Sequence, residues 1–148
     1  MNVLKKTMVF LAVIILLASC SQSAQTQITC VGAVADKDVT LVLSATDDKA
    51  DKNITTYDYS IAELEISDEE ANERLIEHAK QYDVPGVVYT YNIENSQISE
   101  TIEIDYHAAE MITLISLGLV EQKASDTFIS LEQTKTGLTN KGYTCENN

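Results

Sequence analysis

The stretch that decides the fold is residues 87–106, VVYTYNIENSQISETIEIDY, in which apolar and polar residues alternate on both sides of Asn95-Ser96. Such alternation is typical of a strand with one buried face, and Asn95-Ser96 suits the two-residue loop of a β-hairpin. The resulting register pairs Ile93 with Ile98, Tyr89 with Ile102, and Val87 with Ile104. Only Glu100 interrupts the apolar face. It lies opposite Tyr91, and we expect its carboxylate to reach that phenol or solvent.

A second hairpin is predicted at the start of the folded region. Apolar residues alternate over residues 28–34 and 39–45, on either side of Asp36-Lys37. A two-residue loop there pairs Val34 with Val39, and Cys30 with Leu43. A polar turn over residues 47–53 then leads to a third strand, which begins near Tyr57 and continues through residue 66.

Two serine-led capping boxes mark the starts of helices. Ser67 stands three residues before Glu70, and Ser130 stands three before Gln133. In this motif the serine accepts a backbone N–H and the later side chain bonds back. The helix that follows Ser67 carries an apolar stripe. Its members are Ala71, Leu75, Ile76, Ala79 and Tyr82.

Glycines mark the ends of the two later helices. Gly118 follows residues 107–117, which we predict as a buried helix, and Gly142 follows a helix predicted over residues 131–141. A loop over residues 121–126 joins them, and the chain then returns to the sheet. Hairpins interrupted by helices indicate an α+β domain, an antiparallel sheet built from hairpins with about three helices packed on one face.

Composition limits the class of protein. The chain has 148 residues, 10 Lys+Arg and 23 Asp+Glu, for a net charge of −13. This length suits one domain and excludes a two-lobed solute receptor or a large multidomain enzyme. The strong acidity argues against nucleic acid or anionic lipid headgroups as the main partner, because both would repel it.

The first twenty residues have the pattern of an export signal. Lys5-Lys6 precede an unbroken apolar run over residues 8–17. This run is too short for a transmembrane helix, which needs about 20 apolar residues. The next residues, Leu17-Ala18-Ser19-Cys20, resemble the lipobox of bacterial lipoproteins. In that family the cysteine sulfur receives a diacylglyceryl group and the peptidase cuts just before it. The alternative is an ordinary secretory signal, with Cys20 an incidental thiol.

The lipobox predicts an organisation and an address. We expect a signal peptide over residues 1–19, a lipidated Cys20 with a flexible tether over residues 20–27, and one α+β domain over residues 28–148. The protein would be exported and lipid-anchored to the bacterial cell membrane or envelope, facing outside the cytoplasm.

Cys30 and Cys145 form an even pair once Cys20 is lipidated. An oxidising envelope permits a disulfide between them, which would join the first strand to the last segment. The alternative is two free thiols. No CxxC or close cysteine–histidine spacing is present, so no metal site and no cofactor are predicted.

No catalytic motif is recognisable, since no nucleophile has an evident base and no glycine-rich phosphate loop occurs. His107 with Asp105 or Glu110 could serve a metal or a general base, the more so if His78 lay nearby. Partly buried or capping histidines are the simpler interpretation. One polar turn carries oxygen ligands without EF-hand spacing, and we expect a solvated loop there rather than a calcium site. Its residues are Asp47, Asp48, Asp51 and Asn53.

The order of elements resembles that of the YehR-like small bacterial lipoproteins, a family of unknown function. The resemblance rests on the lipobox, Pro85-Gly86-Val87, Ile104-Asp105-Tyr106, Phe128-Ile129-Ser130-Leu131 and Lys141-Gly142-Tyr143. It covers most of the chain after Cys20. It implies the fold and the address, and implies no activity.

These observations predict a lipid-anchored envelope protein that is not an enzyme and acts by non-covalent binding of a protein partner or a small ligand. The seven tyrosines, which combine apolar area with a polar tip, could contribute a recognition surface. Two alternatives stay open. One is a metal-dependent enzyme or metal-binding protein that uses His107, and the other is a structural or stress-related envelope lipoprotein.

Overall fold

The computed structural model describes residues 23–121 and 127–148. The strands are β1 Gln25–Val34, β2 Lys37–Thr46, β3 Lys49–Ser60, β4 Val87–Glu94, β5 Gln97–Asp105 and β6 Thr144–Asn147. The helices are α1 Asp68–Ala79, α2 Met111–Ser116 and α3 Leu131–Asn140. The predicted signal peptide, Cys20 and residues 122–126 of the predicted loop lie outside the described residues.

The six strands form one open sheet in the order β4-β5-β3-β2-β1-β6, with every neighbour antiparallel. All three helices contribute to clusters on the same sheet face. Leu75 of α1 packs with Ile98, Leu114 of α2 with Ile104, and Leu131 of α3 with Ile28. The predicted α+β class, with helices on one face of an antiparallel sheet, is confirmed.

The register of the β4–β5 hairpin is confirmed. Ile93 pairs with Ile98, Tyr89 with Ile102, and Val87 with Ile104. Asn95 and Ser96 have φ angles of 51° and 57°, so both central residues of the loop have the positive φ of a type I′ turn.

The predicted register of the β1–β2 hairpin is wrong by two residues. The loop is at Ala35-Asp36 rather than at Asp36-Lys37, and Ala35 has a φ of 52°. In consequence Val34 pairs with Lys37 and Cys30 with Leu41. A shift of two residues keeps the same side chains on the buried face, so the alternation of the sequence does not distinguish the two registers.

Two boundaries differ from the predicted ones near the start of the sheet. Residues 25–27, predicted as tether, are the first residues of β1, and residues 49–53, predicted as turn, are the start of β3. The turn before β3 needs only Asp47 and Asp48, because both have positive φ. β3 also ends earlier than predicted, since Ile61–Leu64 form a 3₁₀ turn.

The helix starts predicted from the serines are confirmed. The Ser67 and Ser130 hydroxyls accept the backbone N–H groups of Glu70 and Gln133. The side chain of Glu70 contacts Arg74 at 2.7 Å instead of returning to the cap. The prediction that Ile76 belongs to the buried stripe of α1 is wrong, because this residue is 43% exposed.

The helix predicted over residues 107–117 is shorter in the structure, where it covers only Met111–Ser116. Residues 107–110 form a turn held by Asp105, whose carboxylate accepts the His107 N–H at 2.9 Å, and α2 begins only at Met111. Leu114 is its one fully buried residue. Gly118 follows the helix with a φ of 71°, as the predicted stop requires.

α3 is fastened to the β2–β3 turn. The Asp48 carboxylate accepts the Ser130 hydroxyl and the Glu132 N–H, both at 2.8 Å. These bonds hold the pKa of Asp48 below its ordinary value, with the Glu132 N–H the larger cause. Asp48 therefore supplies part of the N-terminal cap of a helix 82 residues away.

β6 closes the fold beside β1. Cys30 and Cys145 are directly paired across these strands and form a disulfide, as predicted. Next to it the Tyr143 ring covers Gly32, where an added Cβ would lie 2.6 Å from the ring. Across the described residues, no helix has both the length and the apolar character of a membrane span.

Candidate functional site

A groove of about 580 Å³ opens between α1 and the start of β2. One wall is the side of α1 that carries Glu73 and His78, and the other is Lys37. The floor comes from β3 and β5, through Tyr59 and Glu100. The groove therefore draws its lining from several separate elements of the fold, α1, β2, β3 and β5 among them.

Glu100 lies at the floor of this groove with only 3% of its surface exposed. Its Oε1 accepts the Tyr59 hydroxyl at 2.5 Å and the Lys37 ammonium at 3.3 Å. Its Oε2 accepts the Tyr89 hydroxyl at 2.5 Å and contacts His78 Nδ1 at 3.0 Å. Each carboxylate oxygen thus has two partners, which offset the loss of water from a buried charge.

The strand geometry explains which tyrosines meet Glu100. The residues directly opposite it are Tyr57 on β3 and Tyr91 on β4. The two hydroxyls that reach the carboxylate belong instead to the diagonal neighbours, Tyr59 and Tyr89, which long side chains can bridge. The predicted contact with the Tyr91 phenol is therefore wrong, since that hydroxyl donates to Asn72 of α1 at 3.3 Å.

The environment keeps Glu100 ionised. Burial by itself raises the pKa of the carboxyl, but the hydrogen bonds from Tyr59 and Tyr89 oppose this, and Lys37 and His78 add to their effect. The net result is a pKa below the ordinary value of 4.5. Burial and the bond to Glu100 raise the pKa of both tyrosine hydroxyls, so they remain neutral donors at pH 7.

Lys37 occupies a small cage of aromatic and carboxylate groups. Its ammonium nitrogen lies 3.8 Å from the centre of the Tyr59 ring and 5.9 Å from that of Tyr57. The Glu100 carboxylate closes the cage at 3.3 Å. The Lys37 side chain is still 37% exposed, so the ammonium is accessible from the groove.

His78, in the last turn of α1, connects Glu100 to the aromatic rings of Tyr82 and Tyr89. Its ring meets those of Tyr82 and Tyr89 edge-on at 5.1 and 5.4 Å, and those two tyrosines stack at 5.1 Å. Its Nε2 lies 3.3 Å from the Tyr82 hydroxyl. The imidazole thus bridges Glu100 and Tyr82, with 39% of its side chain exposed.

His107, the histidine of the predicted metal alternative, belongs to a different contact. Its Nε2 lies 2.9 Å from Asp51 Oδ1, and its backbone N–H bonds to Asp105. Glu110 occupies the N-cap position of α2 without a side-chain cap bond. Within residues 23–121 and 127–148 no group of three or more histidine, cysteine, aspartate or glutamate side chains is arranged to hold a metal ion.

The side chains of the acidic turn that was considered as a calcium site contact different partners. Asp48 caps α3, and Asp51 contacts both His107 and the Thr46 hydroxyl. Asn53 is only 7% exposed, within β3. These oxygens therefore belong to separate contacts.

The sequence pattern singles out Glu100 among the residues of the groove and does not indicate that Lys37, Tyr59 and His78 surround it. Glu100 was visible as the single charge in an alternating apolar row. The sequence pattern places Lys37 in a loop, and it offers His78 as a possible neighbour of His107 rather than of Glu100. Their meeting depends on the neighbour order of β5, β3 and β2 and on the position of α1, which no local pattern encodes.

Fold and groove together define a small α+β protein whose open antiparallel sheet is covered by helices on one face, with a charged and aromatic groove beside α1. The chain belongs to the DUF1307 family, described as a protein of unknown function, which matches residues 26–144. The predicted resemblance to YehR-like proteins is confirmed at this level.

Two solved structures share the fold. The NMR structure of the E. coli YehR protein aligns with a TM-score of 0.71 at 14% identity, covering 84% of this chain and 92% of that one. The NMR structure of a protein from Streptococcus pneumoniae TIGR4 aligns with a TM-score of 0.56 at 12% identity, covering 99% and 98%. No curated protein matches the chain. At these identities the structural likeness concerns the fold alone.

Proposed function

We propose that this chain is an exported, lipid-anchored envelope protein that binds a ligand non-covalently in the groove beside α1 and is not an enzyme. The anchor would be a lipid on Cys20, as the lipobox over residues 17–20 predicts. The observation that carries the binding part is the ionised Glu100 carboxylate on the floor of an open groove.

A buried charge is an inefficient way to stabilise a core. Replacing buried ionic groups with well-packed apolar residues is often neutral or stabilising. Here the charge and three of its four partners, Lys37, Tyr59 and His78, instead border a cavity, which is the setting in which perturbed titratable groups mark functional sites. Glu100 therefore supports a binding role for the groove.

The start of β1 supports an arrangement in which the groove faces away from the membrane. Two hydrogen bonds join Ala24 to Asp47. The Ala24 N–H donates to the Asp47 carboxylate at 3.0 Å, and the Asp47 N–H donates to the Ala24 carbonyl at 3.1 Å. A lipid on Cys20 would then be separated from this fixed point by at most about 14 Å of chain. Lys37 lies at the other end of the β1–β2 hairpin, about 30 Å along the ten-residue β1.

The anchor is tested by intact-mass measurement of the protein recovered from membranes of its native host. We expect a chain that begins at Cys20 and carries the added mass of a diacylglyceryl group. A Cys20→Ser variant should lack that mass and be recovered in the aqueous fraction. An unmodified wild-type chain that still begins at Met1 would contradict the anchor.

The binding role is tested by NMR on the ¹⁵N-labelled full-length protein in detergent micelles, titrated with the small-molecule extract of the host envelope. We expect shifts that cluster at the groove, around Lys37, Tyr59 and His78. Val42 and Thr56, on the opposite sheet face, serve as internal controls. Shifts confined to that opposite face, or no shifts, would contradict a ligand site in the groove.

A further inference from the structure

We propose that the ligand of this groove is a linear di- or polyamine, one of whose ammonium groups replaces that of Lys37. This inference rests on the proposed binding function and names its ligand class. It follows from the contacts of Lys37, from the charge of the groove wall and from the apolar part of the groove floor.

Lys37 already demonstrates that the floor of the groove binds an alkylammonium group. Its ammonium is held by the face of Tyr59 at 3.8 Å and by Glu100 at 3.3 Å. Aromatic faces combined with a carboxylate are the chemistry by which proteins recognise ammonium ligands. Lys37 is the first residue of β2, directly after a turn, and is partly exposed, so its side chain can leave the cage without disturbing the sheet.

The wall of the groove favours further positive charge. Glu70, Glu73 and Glu77 line it at spacings of three and four residues on α1, which brings them to neighbouring turns of one helix side. With Glu100, four carboxylates line the groove against the two permanent cations Lys37 and Arg74, and Lys80, which is not part of the lining, pairs with Glu77. The groove therefore carries a net negative charge even while Lys37 occupies the cage.

Apolar groups also line the groove. Leu75 and Ile98 are buried at 4% and 1% exposure, and Leu64 is 38% exposed at the rim. A molecule with ammonium groups joined by methylene chains matches this combination of carboxylate, aromatic and apolar lining. An inorganic cation would leave the apolar part of the groove without a partner.

The test is isothermal titration calorimetry of the full-length protein in non-ionic detergent at low salt, with spermidine as the probe. Lys37→Ala vacates the cage, and we expect it to bind spermidine at least about tenfold more tightly than wild type, a typical effect for a desolvated cation–π contact. Lys52→Ala, which removes a lysine paired with Glu103 outside the groove, is the matched control and should leave the affinity unchanged. No gain in Lys37→Ala, or an equal gain in both variants, would overturn the proposal.

A second pair of variants keeps the test valid if changes at the floor disturb folding. Glu73→Gln removes a carboxylate from the exposed wall, and we expect it to weaken spermidine binding to the Lys37→Ala protein several-fold. Glu69→Gln on the same helix lies outside the groove and should have no such effect. Equal effects of the two would show general attraction to an acidic surface and would overturn the proposal.

The two hypotheses fail in different ways. If envelope extract shifts the groove resonances and spermidine does not bind, the amine assignment is wrong and the groove function stands. If neither has an effect at the groove, both are wrong.

Discussion

The Tyr59 hydroxyl donates a 2.5 Å hydrogen bond to Glu100 from a position displaced by two residues from direct cross-strand pairing. The displacement leaves the face of the Tyr59 ring available to the Lys37 ammonium at 3.8 Å. One tyrosine therefore supplies both a hydrogen bond to the carboxylate and an aromatic surface for a cation. This double use couples the stability of the sheet to the chemistry of the groove.

Glu100→Ala should lower the free energy of unfolding by about 3 kcal/mol, because it leaves two hydroxyls and an ammonium without their acceptor. Urea denaturation at pH 7 measures the change. Glu103→Ala is the control, since Glu103 lies on the same strand, is 39% exposed and pairs with Lys52. Its loss should stay below about 1 kcal/mol, the usual range for surface ion pairs. Equal losses for the two variants would contradict a special role for Glu100.

Stability should fall in acid partly through Glu100. Because the folded protein lowers the pKa of this carboxyl below its ordinary 4.5, the folded state favours the ionised form. Its contribution is complete above about pH 4.5 and is lost as the pH falls further through the folded value. The gap in melting temperature between wild type and Glu100→Gln should therefore narrow from pH 6 to pH 3. A gap that stays constant or widens in acid would contradict the lowered pKa.

Asp48 and Ser130 should act as one cap on α3. Asp48→Ala and Ser130→Ala should each lower the free energy of unfolding by about 1 kcal/mol, and the double variant should lose clearly less than their sum. Chemical denaturation of the four proteins completes the cycle. Asp48→Asn is the control for the backbone, since asparagine tolerates the φ of 69° and keeps an acceptor. Strict additivity would show that the 2.8 Å contact between the two residues contributes nothing.

Loss of the disulfide should lower the free energy of unfolding strongly. Its cysteines are 115 residues apart, and in the chain-entropy model a loop of that size contributes about 5 kcal/mol. Cys145→Ala should lower the urea midpoint accordingly. Dithiothreitol should lower the midpoint of the wild type to a similar level and leave Cys145→Ala unchanged. A wild type insensitive to reductant would contradict a stabilising disulfide.

Two glycines should respond in opposite directions to alanine. Gly32→Ala should destabilise the protein by about 2 kcal/mol, because the new Cβ would lie 2.6 Å from the Tyr143 ring in a packed region. Gly137→Ala, in the open part of α3, should stabilise it by roughly 0.5–1 kcal/mol through helix propensity. Thermal unfolding followed by circular dichroism distinguishes the two. A stabilised Gly32→Ala would show that the ring does not cover this position.

Local patterns predicted those parts of the structure that depend on neighbours in sequence. Asn95-Ser96 defined the β4–β5 register because a two-residue turn and the alternation of both strands agree. Ser67 and Ser130 located two helix starts, because a cap acts within three residues. The β1–β2 register was missed because two registers bury the same face, and the start of α2 because Asp105 holds residues 107–110 in a turn.

The amino-acid sequence by itself determined the class of fold, the buried face of each main strand and the one charge, Glu100, that interrupts that face. Periodicity decides these features, because it requires only that apolar residues leave water. Which partners surround that charge was decided by the tertiary structure. Lys37, Tyr59 and His78 come from the start of β2, from β3 and from α1, and they meet only because β2, β3 and β5 are neighbours beneath α1.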